Sequence, residues 1–410
     1  MFNEYRSLPK EAKFLVYSSI FPSLAYGMFY TDISYYLTKV QSFPDVVMGI
    51  VISLMGVSAV VSSIVLGIAA DKFGKRRFLI IGNILASVII GVFALASNSY
   101  VLYVAALVEG VSEGAFAAST SALLAEKAGD VRRNSAFSLL GFVSGIASGV
   151  GSFLIAVVAV FSGFGLTDRA SHTLLYLILA LLSLSSTLIM IKITEPQAQK
   201  KAKAGIRELL PKKSIGVLIK FLVTSAIIAF GAGLIVPLMS AWFSGRYGIS
   251  DTISGPILGV SNIVIGVATL ASPPLARRIG CVNAIVLTQA FSTLFMFATP
   301  LSPDFLSASI IYTSRAFLMN MASPLQQSMI MGLVAEEERG AASGVSAALW
   351  RLPNALSTVI GAYLIGIDQL TTPFFLAGLF YVASIALFWW YFKDATLPEE
   401  SNQNQKQDKP

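Results

Sequence analysis

Twelve apolar runs follow one another along this chain with short polar breaks between them, at 14–38, 46–70, 78–96, 101–125, 135–161, 173–191, 215–242, 253–276, 282–299, 305–334, 341–367 and 373–391. A helix that spans a bilayer needs about 20 such residues. Only 12% of the 410 residues are charged, where a soluble domain carries about 25%. Mean hydropathy is +0.74. Lipid is therefore the solvent for most of the chain, and an all-α membrane protein with twelve transmembrane helices is expected. The first run is too long for a signal-peptide core and reads as the first membrane helix.

The net charge of +7 does not point to nucleic acid, because the cations sit in short loops. They concentrate in alternate loops and at both ends, while the opposite loops hold Lys39, Arg169 and Arg246. The positive-inside rule then predicts cytoplasmic termini, which an even number of spans requires. A polar connector at 192–213, rich in lysine and arginine, divides a six-helix bundle at 1–191 from a second at 214–393. The segment 394–410 is expected to be a disordered cytoplasmic tail. The bundles echo each other: Gly74 has a counterpart in Gly280, and Arg132 and Arg133 in Arg339, at an offset of about 206 residues. Two parallel six-helix pseudo-repeats around a midplane site are an architecture of secondary transporters.

The break between the second and third runs reads Gly67-Ile68-Ala69-Ala70-Asp71-Lys72-Phe73-Gly74-Lys75-Arg76-Arg77. It resembles the signature loop of the major facilitator superfamily, G-x-x-x-D-R/K-x-G-R/K-R/K, with Gly67, Asp71, Lys72, Gly74, Lys75 and Arg76 matching position by position. A degenerate copy without the acid falls at Ala276–Gly280. The resemblance covers essentially the whole chain and implies the twelve-helix fold of that family and alternating access. It further implies that Asp71 is a gate residue contacting the eleventh helix and the end of the fourth, where Glu126, Arg132 and Arg133 stand. Dipole and arginine pairing at a helix N-terminus favour an acid there. The family's drug:proton antiporters usually carry a Gly-Pro pair on the fifth helix and often an arginine on the fourth. Here the fifth run offers Gly141, Gly145 and Gly149, a ridge suited to close helix contact, and the fourth offers Glu109, Gly110 and Glu113.

Asp32, Glu109, Glu113, Arg315 and Arg351 lie well inside apolar runs, where a charge costs about 2.5–3.5 kcal/mol and normally serves a function. The resemblance puts Asp32, Glu109, Glu113 and Arg315 on cavity-lining helices. Glu109 and Glu113 are four apart on one helix face. Two carboxylates so close in low dielectric do not both ionise easily, which makes them a proton site. Arg315 lies about 206 residues after Glu109, so the two are expected to face each other, as a coupling pair or as a fixed staple. Asp32 suits a proton or a cationic substrate, or a hydrogen bond to Tyr35 or Tyr36. Arg351 suits an anion, a pairing with an acid, or a gate, beside a kink at Pro353. Tyr30, Asn262, Asn320, Gln326 and Asn354 are possible cavity-lining residues, and Tyr26, Phe29, Tyr35 and Tyr36 extend an aromatic face that also suits an interfacial belt.

His172 is the only histidine and Cys281 the only cysteine, so neither a metal cluster nor a disulfide is expected, and His172 reads as an outer-interface residue. No enzyme is indicated: the chain lacks a nucleophile–histidine–acid set in its core and a phosphate-binding G-x-x-x-x-G-K-[ST] loop. The expectation is a monomeric plasma-membrane transporter of a small organic or amphipathic solute, without cofactors, driven by the proton gradient, with export ahead of uptake. Organic-anion or nutrient uptake through Arg315 and Arg351 is the alternative, and a non-transporting sensor on the same fold is the rival of another class.

Overall fold

The computed structural model of the protein describes residues 8–128, 133–195, 214–334 and 339–394. The described residues contain no strand. The first run is broken at Ser19 into α1 (Lys10–Ser18) and α2 (Ile20–Tyr35), followed by a wide turn at Tyr36–Val40. Then come α3 (Asp45–Phe73), α4 (Lys75–Leu95), α5 (Ser99–Ala128), α6 (Arg133–Phe153), α7 (Val157–Gly163), α8 (Asp168–Ser185) and α9 (Thr187–Met190). Past the connector are α10 (Ile215–Gly233), α11 (Met239–Tyr247), α12 (Asp251–Ile279), α13 (Cys281–Ala298), α14 (Phe305–Leu333), α15 (Arg339–Gly366) and α16 (Thr372–Phe392). Each apolar run is occupied by one of these helices or by a broken pair. Among the described residues, nine helices are long and apolar enough to cross a membrane.

The chain packs into two compact units that do not follow chain order. One holds residues 1–201 together with 237–263 and 358–368; the other holds 202–236, 264–357 and 369–410. In the first, Leu15, Val16, Leu79, Leu123, Leu124 and Met190 form a buried cluster. Its helices approach closely where side chains are small. A Cβ on Gly27 would lie 2.1 Å from Ser148 O, and one on Gly151 2.0 Å from Leu24 O. Of the expected ridge on α6, Gly149 makes such an approach, to Ile263, whereas Gly141 and Gly145 have nothing within 4 Å. Close contact is thus carried by Gly149 and Gly151 rather than by the full ridge. In the second unit, Phe221, Ile285, Met329, Ile330 and Phe388 lie in the core, and a Cβ on Gly233 would lie 1.9 Å from Asn354 O. The helix α15 runs through Pro353 without a break.

Gly74 and Gly280 are each a one-residue break between two long helices, with φ of +106° and +85°. Such angles penalise any residue with a Cβ. The glycine echo read from sequence is therefore an echo in backbone geometry.

Candidate functional site

The signature turn is built around Gly74. Its backbone N–H donates to Ala70 O at 2.9 Å, closing α3. Directly after it, the amides of Lys75 and Arg76 donate to the two carboxylate oxygens of Glu195, at 2.6 and 3.2 Å. These are orphan N–H groups at the start of α4, where an anion is favoured by the helix dipole. The capping acid is thus Glu195, from the start of the polar connector. Asp71 lies in the last turn of α3, a C-terminal position that the dipole disfavours for an acid; its side chain is outside the described residues, as are Arg132 and the side chain of Arg133. Lys75 pairs with Glu126, so the described contact of Glu126 is to the turn's lysine. Arg76 donates to Ile191 O. Lys72 is exposed, with its ammonium 5.1 Å from the Phe73 ring centre, and a Cβ on Gly67 would make only ordinary contact with Ala118, at 3.8 Å. Beside the turn, Glu11 pairs with Lys127 and accepts from Thr194. The bond from Lys127 and then that from Thr194 hold the Glu11 carboxyl below the ordinary glutamate range.

Deeper in this unit, α5 carries the carboxylate pair. Glu109 is buried, 4% exposed, and Glu113 is half-buried. Between and beside them, Gly110 and Gly114 let α5 settle on α3: a Cβ on Gly110 would lie 2.0 Å from Ser58 Oγ, and one on Gly114 2.2 Å from Ser62 Oγ. Ser62 donates to Gly110 O at 3.1 Å across the joint. That packing fixes the face on which both acids stand. Tyr30 of α2 donates to Glu113 at 3.3 Å, and its ring lies 4.1 Å from that of Tyr26. An acid pair, a phenol and an aromatic face are thus assembled from α2 and α5.

Asp32 is placed elsewhere in the same unit. Its carboxylate accepts from Tyr176 of α8 at 3.0 Å, not from Tyr35 or Tyr36, and Asp32 is 1% exposed. His172 of α8 is also fully buried, which corrects its reading as an interface residue, and its Nε2 lies 2.7 Å from the carboxylate of Asp251, the first residue of α12. Asp251 had no signal in the sequence, where it reads as an acid in a helix's first turn. Asn262 donates to Ser152 at 3.4 Å.

In the second unit, Arg315 is 4% exposed and donates to Tyr381 Oη at 2.7 Å. Its guanidinium carbon sits 5.5 Å from the Tyr312 ring centre and 5.8 Å from that of Tyr381, over two aromatic faces. Among the described residues no carboxylate pairs with it, and its Nε has no hydrogen-bond partner. Glu109 belongs to the other unit. Arg351, expected deep inside its run, is exposed. Asn354 donates to Ala229 O at 3.3 Å and Asn320 to Ala316 O in its own helix at 2.8 Å; Gln326 is half-buried.

Comparison with known proteins agrees with this architecture. A family model described as Major Facilitator Superfamily matches residues 15–356. An uncharacterized membrane protein of Saccharomyces cerevisiae is 22% identical over 385 residues, covering 82% of this chain and 86% of its own. Multidrug resistance protein 2 of Bacillus subtilis is 20% identical over 363 residues, covering 85% and 87%. The crystal structure of the nucleoside transporter NupG superposes with a TM-score of 0.74 at 16% identity, over 94% of this chain and 98% of that one.

Proposed function

We propose that this chain, which belongs to the Major Facilitator Superfamily, exports small amphipathic organic solutes in exchange for protons, with Glu109 and Glu113 as the coupling and binding carboxylates. That it is a membrane-spanning transporter and not an enzyme follows from its family. The observation that carries the finer reading is the bond from Tyr30 to Glu113, one helical turn from the buried Glu109. Two acids in a membrane-spanning helix need a neutralising proton or a cationic ligand. Exchanging one for the other on the same carboxylates couples the two flows. The match to a multidrug resistance protein supports export.

In this reading the moving parts are the six-helix halves 1–191 and 214–393, joined by the connector 192–213. The signature turn acts as a cytoplasmic gate, both termini lie in the cytoplasm, and the membrane is the plasma membrane. Residues 237–263 of the second half pack in the unit built on the first. Proteoliposomes loaded with a lipophilic cation test the proposal. An imposed pH gradient drives its flux in wild-type protein, and Glu109→Gln and Glu113→Gln abolish that dependence. Undiminished dependence in both variants rules the coupling site out.

A second reading rests on Arg315. A buried guanidinium that no carboxylate neutralises, among the described residues, suits the anionic group of an organic-anion substrate. Flux of such an anion that survives Arg315→Gln removes this reading.

A further inference from the structure

Counting residues gives one histidine and one cysteine, which leaves no metal cluster to expect. The fold nevertheless brings an imidazole and two carboxylates together from three helices. Ligand atoms of Asp32, His172 and Asp251 all lie within 4.8 Å of one another, and all three residues are buried. We propose that Asp32, His172 and Asp251 form a binding site for a divalent transition metal ion of the zinc class.

The hydrogen bonds around the three residues assign their atoms. His172 Nδ1 faces two acceptors of Asp168, the backbone carbonyl at 2.9 Å and a carboxylate oxygen at 3.3 Å. An acceptor partner requires the proton on Nδ1. Nε2 faces the Asp251 carboxylate, 2.7 Å away, and in the metal-free site that distance is a hydrogen bond donated by a second ring proton. A divalent ion binds here by displacing that proton, since metal ligands must be deprotonated and binding releases protons. Asp32 completes the set: one oxygen accepts from Tyr176, and the other, Oδ1, is buried without a hydrogen-bond partner.

This is the arrangement of a metal site with its outer support in place. A metal-bound imidazole typically donates its other N–H to a carbonyl or carboxylate, and ligating carboxylates are themselves held by hydrogen bonds. Asp168 and Tyr176 supply those contacts. Once that proton is displaced, two carboxylates and a neutral imidazole carry two negative charges, which one divalent ion neutralises. Nitrogen and oxygen donors with one position left for water suit zinc. The Asp168 side chain is 61% exposed and in contact with His172, so the outer support of the site meets solvent. The site also has a structural consequence, because it ties α2 and α8 to the start of α12. It is independent of the carboxylates on α5.

The test uses full-length, untagged, chelator-stripped protein in detergent at neutral pH, titrated with Zn²⁺. One ion per chain is expected to bind, with affinity at least about tenfold weaker in His172→Ala and in Asp251→Asn. No binding at about 100 µM Zn²⁺, far above the range of a built site, overturns the proposal, and so does equal affinity in wild type and both variants. X-ray absorption of the zinc-loaded wild type covers the case in which a variant does not fold. His172 is the only histidine, so imidazole scattering with Zn–N at about 2.0–2.1 Å is expected and can come from no other residue. A shell of oxygen alone overturns the site.

Discussion

Glu195 binds the backbone N–H of Lys75 at 2.6 Å and that of Arg76 at 3.2 Å, so one carboxylate closes the start of α4 across 120 residues of sequence. One oxygen of that carboxylate, Oε2, sits 3.1 Å from where a Gly74 Cβ would stand. Turn, cap and glycine are one joint. Replacing Glu195 with Ala leaves two amides to water, and a lost cap of this kind costs about 0.5–2 kcal/mol. Thermal unfolding in detergent reads the change, and an unaltered midpoint counts against the cap.

Gly74→Ala and Gly280→Ala force a Cβ into left-handed backbone. Each is expected to destabilise by roughly 1–2 kcal/mol, and Gly74→Ala further by its approach to Glu195. Comparing the two midpoints separates backbone strain, common to both, from the contact at Gly74.

Close packing predicts a contrast among glycines. Gly110→Ala places a methyl 2.0 Å from Ser58 Oγ and 2.2 Å from Met55 O, and the backbone carbonyl cannot rotate away. A loss of about 1–3 kcal/mol follows, as for other overpacked sites. Gly141→Ala and Gly145→Ala, with open space around them, are expected to stay within about 0.5 kcal/mol of wild type. Equal losses at all three positions contradict the packing described for α5 and α3.

The Glu11 carboxyl is held below its ordinary range by Lys127 and Thr194, and the sign of its pH effect follows. The folded state binds this proton less readily than the unfolded chain, so the stabilisation is present above the unfolded value near 4.5 and lost as pH falls through the folded one. The pair is partly exposed, so screening limits it to about 1 kcal/mol or less. Glu11→Gln is expected to lower the unfolding midpoint at neutral pH and to narrow the gap to wild type toward pH 4. A constant gap across that range removes the ion pair as the cause.

Apolar length made the helices legible in the sequence, because the hydrocarbon core sets one number that each run must meet. Gly74 and Gly280 were legible too, since a positive φ demands glycine and the repeat spacing named the pair. Partnership across helices was not. His172 and Asp251 are 79 residues apart, and neither position differs locally from a solvated helix start. Burial of both is decided by how α8 and α12 pack. Glu195 was hidden for a different reason: in a charge-rich connector, one acid reads as solvation. Among the described residues Arg315 is held by Tyr312 and Tyr381, and aromatic residues in a membrane helix carry no mark that separates a cation's cage from a lipid-facing belt.

Residues 237–263 and 358–368 pack within the unit otherwise made of residues 1–201. A chain cut at the connector therefore does not yield two finished products. The amino-terminal fragment lacks two of the segments that cover its own surface, and the carboxy-terminal fragment carries them without their seat. Co-expressed fragments are expected to rescue each other by supplying these missing pieces, whereas either fragment made alone is left with bare apolar faces for quality-control proteases to find.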